Sequence, residues 1–372
     1  MNIYDLWFSS AQISSRLKLN ILKRFSSVEE VWMNVIRHNT LVDSCESKYE
    51  NMNVISALKR AWQKDQLELK MEYCYEKGIG SVNFNEDSYP SRLKNYEDSP
   101  AVLFYIGNVV KLDKNLNVGI VGSRKCSIYG RNAAEIISRE ISKNNINVIS
   151  GMARGIDSYA HRGAIESNGY TCAVFGSGVD VIYPRENRKL YKDILANGAV
   201  VSEFIPGVKP ISYNFPKRNR IISGLSDVLV VVEAAERSGA LITADMALEQ
   251  GKSVMAVPGS IFSEESRGTN RLIKQGAYPL TNIEDIFQIL EVEYETRSVE
   301  FDKKSDNLTK TEQKIYSIIG DTPIHIDDIS KIANVDIKQL YELLFELQLK
   351  KQIICLSGNY YVKDPDKSVI ID

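Results

Sequence analysis

The residues of this chain best suited to chemistry are arginines set beside glycines. Gly122-Ser123-Arg124, Gly151-Met152-Ala153-Arg154-Gly155 and Gly176-Ser177-Gly178 each follow a short apolar run. Tyr183-Pro184-Arg185 offers an aromatic face and a charge. Asn214-Phe215-Pro216-Lys217-Arg218-Asn219-Arg220 puts three cations within four residues, beside an aromatic, at an expected helix start. Ser238-Gly239 and Gly268-Thr269-Asn270 read as further turns. Backbone N–H groups at helix starts attract anions, and guanidinium groups make charge-assisted, often bidentate hydrogen bonds to phosphate. Arg124 with the turn amides around it can hold one phosphate. Arg218 and the Asn219 amide suit a phosphate or a base edge.

Reaction chemistry has weaker support. No Ser-His-Asp set, paired carboxylates, Walker lysine, HxE or CxxC zinc pattern accompanies these turns. Asp157 and His161 are four apart on one expected helix, with no third ligand at a matching spacing. They read as an N-cap and a satisfied helix residue. Gly176-x-Gly178 resembles part of a dinucleotide fingerprint, but the third glycine is missing, and so is an acidic strand end at ribose distance. NAD and FAD are not expected, and no other cofactor is implied. Tyr129, Tyr183, Tyr213, Phe215 and Tyr278 lie among the basic turns, and a cationic groove with interleaved aromatics suits single-stranded nucleic acid, at about 1–3 kcal/mol per stacked base.

The elements that must position these turns alternate. Apolar runs occur at Val118–Val121, Ile146–Ile149, Cys172–Phe175, Ala199–Val201, Val228–Val232 and Val254–Val257. Amphipathic helices lie between them, several closed by a glycine just past the last apolar position: Gly169, Gly198 and Gly251. This pattern predicts a doubly wound, mostly parallel α/β sheet covered on both faces, with its ligands at the carboxyl ends of the strands. Residues 1–82 read as a small helical domain, and 83–117 as a connector holding one short strand, Val102–Gly107, at a sheet edge. Residues 118–290 form the Rossmann-like domain and 291–307 a polar linker. Residues 308–364 read as three helices and a hairpin, a winged helix.

Composition sets the frame. The 372 residues are 44% hydrophobic and 25% charged, ordinary for a globular chain of two or three domains. The five cysteines are scattered, odd in number and free of CxxC pairs, which argues for a reducing compartment. Met1–Ser10 has no basic segment before an apolar run, and no apolar run approaches the ~18 residues of a membrane span. The expectation is a cytoplasmic protein without a membrane partner. The formal net charge is −2, but residues 118–279 carry 20 Lys/Arg against 15 Asp/Glu. The positive charge therefore sits with the glycine-rich turns.

Taken together, the motifs resemble the DNA-processing protein A family (DprA, also called Smf). GSR…YG, SGMARGID, FGSGVDVIYPREN, FPKRNRIISG, SGALITA, AVPG and RGTNRLIKQGA occur in that family's order over about residues 84–290. The resemblance implies an extended Rossmann-like domain that binds single-stranded DNA without catalysis. It also implies loading of the RecA recombinase during natural transformation, and a homodimer formed through the Rossmann-like domain. Carried over by motif, the DNA contacts are Ser123, Arg124, Arg154, Gly155, Arg185 and the run Lys217, Arg218, Asn219 and Arg220. Gly239, Gly268, Thr269 and Asn270 complete the pocket. The winged helix departs from a duplex reader: residues 308–364 hold 7 Lys/Arg and 8 Asp/Glu, and its second helix sets Glu342 and Glu346 against Lys338. That favours protein contact or packing there. Two alternatives stay open: a phosphoribohydrolase-like nucleotide enzyme, opposed by Asn270-Arg271 where a glutamate is needed, and a winged-helix transcriptional regulator.

Overall fold

The computed structural model describes residues 1–41, 48–294, 308–320, 322–350, 352–356 and 358–363. Cys45 and residues 295–307 of the expected linker lie outside them. The chain divides into two units, residues 1–295 and 296–372.

Alternation builds the first unit. Its sheet contains β1 (Gly80–Asn83), β2 (Val102–Gly107), β3 (Asn117–Val121), β4 (Asn147–Ser150), β5 (Thr171–Val174), β6 (Ala199–Ser202), β7 (Val228–Val231), β8 (Ser253–Ala256) and β9 (Tyr278–Pro279). Their order is β1-β2-β6-β5-β4-β3-β7-β8-β9. The pairings from β6 through β9 are parallel, and β2 runs antiparallel to both its neighbours. Successive strand residues point to opposite faces, so each apolar strand feeds two cores. Val228, Val230 and Val232 join Ile137, Ile141 and Ala160 on one face. Leu229 and Val231 join Ile221, Leu225 and Ala244 on the other. The fold is the doubly wound α/β sheet that the sequence pattern predicts.

Three details differ from expectation. β2 is not an edge strand; β1 covers it, register-matched from Gly80 opposite Tyr105 to Asn83 opposite Val102. β1 carries one large apolar residue, Val82, and so leaves no periodic signal. β9 has two residues, one of them proline, and is equally silent. Gly268-Thr269-Asn270 is not a turn but lies inside the helix Arg267–Lys274.

The N-terminal helices Ile3–Ser10, Ser15–Leu22, Val28–Trp32, Lys48–Ala61 and Lys64–Glu76 gather around Trp7, Phe8 and Leu58. The Trp7 indole N–H donates to the Leu58 carbonyl at 2.8 Å. These helices also grip the sheet's carboxyl edge. Tyr73 Oη donates to Asp180 Oδ2 at 2.9 Å, the Gly207 N–H donates to Asp180 Oδ1 at 2.7 Å, and Lys70 Nζ donates to the Pro206 carbonyl at 3.2 Å. The loops after β5 and β6 are therefore fixed from outside the sheet.

In the second unit, helices Lys310–Ile318, Ile326–Ala333 and Ile337–Leu349 precede a hairpin of β11 (Ile353–Leu356) and β12 (Tyr360–Lys363); the short β10 (Ile324–His325) pairs with β12. This is a winged helix. Thr309 and Glu312 form a complete capping box, and Glu312 accepts from Lys350 Nζ at 2.6 Å. Helix Ile337–Leu349 buries Leu340, Leu344 and Leu347 and exposes Ile337, Tyr341, Glu342, Phe345 and Glu346. The Lys338 side chain lies outside the described residues.

Candidate functional site

From β3 the chain steps outward through β4, β5 and β6. It then returns to the other side of β3 with β7 and β8. The β3/β7 boundary is thus the point where strand order reverses, and α/β sheets place ligands in the crevice opened there. A cavity of about 750 Å³ lies at this position. That is within the range of ligand-sized pockets. Its walls come from Val121–Lys125 after β3, from Ala235 and Ser238–Ala240 after β7, and from Phe215, Arg218, Asn219 and Ile222 of helix Asn214–Leu225. Three helices begin at or beside it: Ile156–Glu166, Asn214–Leu225 and Gly239–Glu249. Each adds the partial positive charge of its amino end.

The β3 turn is built tightly. The Ser123 N–H donates to the Glu233 carbonyl at 2.7 Å, and the Ser123 carbonyl accepts from the Ile156 N–H at 3.1 Å. Gly155 has φ of 73°, and a Cβ there would sit 2.2 Å from the Ser123 carbonyl oxygen. Gly155, not Asp157, is the N-cap of its helix. Asp157 stands two residues later, buried in the cavity wall, and accepts from the Ala153 N–H at 3.3 Å. Burial raises its carboxyl above the usual range, against the pull of Arg218 and Arg124. Glu233, which the sequence reading passed over, is 2% exposed. Its carboxylate accepts from the Ser127 N–H at 2.8 Å and from the Ser127 hydroxyl, fixing the cap of helix Ile128–Lys143.

The arginines divide by environment. Arg124 is exposed at the cavity mouth, with its guanidinium 5.6 Å from the Phe215 ring centroid. Arg218 is 3% exposed; its Nη1 donates to the Gly151 carbonyl at 2.8 Å and to the Val174 carbonyl. Its Nε is buried without a partner among the described residues. Burial pulls this guanidinium down to about 10, so it stays charged at neutral pH. Arg218 thus forms the cavity floor and ties together the ends of β4 and β5. Arg154 joins Arg124 and Arg218 around a small adjoining pocket, and its guanidinium pairs with the Glu186 carboxylate, one bond at 3.0 Å. Tyr183 and Phe215, 5.5 Å apart, supply the aromatic wall.

The structure therefore brings Ser123, Arg124, Arg218, Asn219 and Gly239 together on one cavity, with Arg154 and Gly155 beside it. Others it places elsewhere. Arg220 turns inward and pairs with Glu203 at 2.5 Å and Asp98 at 3.6 Å. Lys217 is exposed over the Tyr213 ring, 4.2 Å from its centroid, and lines neither pocket. Thr269 is buried with its hydroxyl on the Ser266 carbonyl, and the Gly268 N–H donates to Ala234. Asn270 makes two hydrogen bonds to the Gly259 backbone. Thr269 and Asn270 thus hold the loop after β8, Gly268 ties it to the end of the β7 segment, and none of the three lines the cavity. Arg185 is exposed one residue beyond the cavity-lining Tyr183-Pro184 pair. Glu264 and Glu265, absent from the sequence reading, form an acidic wall.

His161 is wholly buried, with Nδ1 2.7 Å from Thr171 Oγ1 and Nε2 unpartnered among the described residues. Burial, then the Arg218 charge, lowers its pKa to about 3, which keeps the ring neutral. Among the described residues no group of three or more His, Cys, Asp or Glu side chains is placed to hold a metal ion. Nor is any described helix long and apolar enough to cross a membrane.

A Rossmann-like sheet with a cationic, aromatic crevice at its reversal point, followed in the chain by a winged helix, defines a class of two-module proteins. Within that class, the family model described as DNA recombination-mediator protein A matches residues 81–291, and the DprA winged helix domain matches residues 300–359. DNA processing protein DprA of Bacillus subtilis is 43% identical over 215 residues, 58% of this chain and 72% of the relative. Protein Smf of Escherichia coli is 36% identical over 282 residues, 74% of this chain and 75% of its own length. The X-ray structure of DprA from Streptococcus pneumoniae superimposes with a TM-score of 0.66 at 34% identity, covering 79% of this chain and 99% of that one. The structure of DNA processing protein A from Helicobacter pylori, which describes a single-stranded DNA binding mode, gives a TM-score of 0.53 at 30% identity over 58% of this chain and 97% of that one. The chain belongs to the DprA/Smf family of DNA recombination-mediator proteins.

Proposed function

We propose that the crevice between β3 and β7 binds single-stranded DNA and leaves it chemically unchanged, and that the protein so loaded delivers the strand to the RecA recombinase during natural transformation. The observation that carries this reading is the pairing of Arg124 at the mouth with the Tyr183–Phe215 wall, over a floor held positive by Arg218. A guanidinium at the rim suits phosphate, and the aromatic wall suits an unpaired base. The lining is not uniformly basic, because Glu264 and Glu265 contribute to it as well. A strand would therefore lie with its phosphates toward Arg124 and its bases toward the aromatic and acidic walls. The homodimer through the Rossmann-like domain and the cytoplasmic location belong to the same proposal, supported by family membership.

Fluorescence anisotropy with oligo-dT, a duplex of equal length and AMP, each at two salt concentrations, tests it. Salt-sensitive binding that favours the single strand is expected. Tight AMP binding with product release would turn the crevice into a nucleotide-hydrolysing site. Preference for duplex would turn the protein into a duplex-reading regulator.

A further inference from the structure

One charged surface lies outside the cavity yet begins at its wall. Tyr183 and Pro184 line the small pocket, and the next residues carry Arg185, Arg188, Lys189 and Lys192, all exposed. None of the four forms an ion pair among the described residues, whereas Arg154, Arg139 and Arg220 all do. The one carboxylate between residues 183 and 192 is Glu186, and Arg154 holds it. The segment is rigid. Asn187 is buried and its Nδ2 donates to the Met152 carbonyl at 3.0 Å and to Ser158 Oγ at 2.8 Å. Leu190 and Ile194 anchor helix Arg188–Asn197 in the core. At a rise of about 1.5 Å per residue, the stretch from 185 to 192 extends roughly 10 Å away from the cavity.

Resting on the reading above, we propose that the strand leaving the cavity past Tyr183 continues along this surface, where Arg188, Lys189 and Lys192 hold its phosphates as a second, sequence-independent binding segment. Unpaired surface cations are ordinarily a solvated face. Here they are continuous with a cavity that would hold the same polyanion, and of the two acids beside them Glu186 is held by Arg154, which leaves Asp193 against four cations. The segment would lengthen the footprint without adding base contacts, and its contribution would be electrostatic and screened by salt.

The test compares the full chain with the triple variant Arg188→Gln/Lys189→Gln/Lys192→Gln, using a five-nucleotide and a twenty-nucleotide oligo-dT over a salt series. Three phosphate contacts on a single strand correspond to a slope change of about 2 in log K against log salt. The long oligomer is expected to lose that slope and at least tenfold in affinity at low salt, while the short one binds as before. An unaltered slope for the long oligomer, with normal binding of the short one, overturns this inference alone. Equal losses for both lengths would assign the three cations to the cavity and also overturn it. An equal loss on duplex would assign the surface to duplex phosphates. Wild-type chain that binds neither oligomer would defeat the cavity reading and this one with it.

Discussion

Replacing Arg218 with methionine separates a structural floor from a ligand contact. The guanidinium donates Nη1 to two strand-end carbonyls, Gly151 at 2.8 Å and Val174. Hydrogen bonds from a charged donor contribute about 1.5–3 kcal/mol each, and buried carbonyls left unpaired add their own penalty. Relief of the buried charge offsets part of that. The geometry at Gly151 sharpens the case: a Cβ there would lie 2.1 Å from Arg218 Nη1, so the guanidinium fills this space and methionine leaves it partly empty. A net loss of about 3 kcal/mol is expected. With a urea m-value of about 3 kcal/mol/M, that lowers the unfolding midpoint by about 1 M. Far-UV circular dichroism is the suitable probe, because Trp7 and Trp32 lie in the N-terminal helices and Trp62 between two of them, so tryptophan fluorescence reports on that region first. An unchanged midpoint together with abolished oligonucleotide binding would refute the structural assignment and return Arg218 to the ligand contacts.

Three further outcomes follow from the same geometry. Gly239 has no atom of the described residues within 4 Å of a built Cβ and lines the cavity, so Gly239→Trp should leave the unfolding free energy within about 0.5 kcal/mol of wild type while reducing oligo-dT affinity at least tenfold by anisotropy. Gly155→Ala should lose both, costing more than ~1 kcal/mol of stability through its positive φ and the Ser123 carbonyl, with binding lost as the turn moves; calorimetry and anisotropy read the two effects. His161, held neutral by burial with its pKa near 3, favours the fold fully only above its unfolded pKa of about 6.5. As pH falls below that value, protonation of the unfolded chain removes about 1.4 kcal/mol per unit, roughly 2 kcal/mol by pH 5. In His161→Gln that increment should vanish from urea titrations at pH 8 and pH 5.

Much of this architecture is legible in residue order. Six apolar runs and the glycines that close the intervening helices specify the parallel sheet, because continuous apolar strands need cover on both faces. What escaped lacks periodicity: β1 has one large apolar residue and β9 has two residues in all. At the site, residue type identified Arg124 and Arg218 alike, but one is exposed and the other buried. Sequence spacing does not say which arginine will be turned inward. Arg220 illustrates this, since its partners Glu203 and Asp98 come from distant segments. Gly268, Thr269 and Asn270 looked like a turn because small and polar residues favour both turns and helix starts. Glu233 left one faint sign, an acid at the end of an otherwise apolar strand. Glu264 and Glu265 reach the cavity through a loop whose path no local pattern encodes.

The most direct test of the crevice is hydrogen–deuterium exchange of the full chain with and without saturating oligo-dT. Slower exchange at amides 122–125, 153–155 and 238–242 is the expected result, since the first and last segments line the cavity between β3 and β7 and the middle one, after β4, adjoins it. Slower exchange confined to residues 308–363, with those walls unaffected, would contradict binding at the sheet's reversal point.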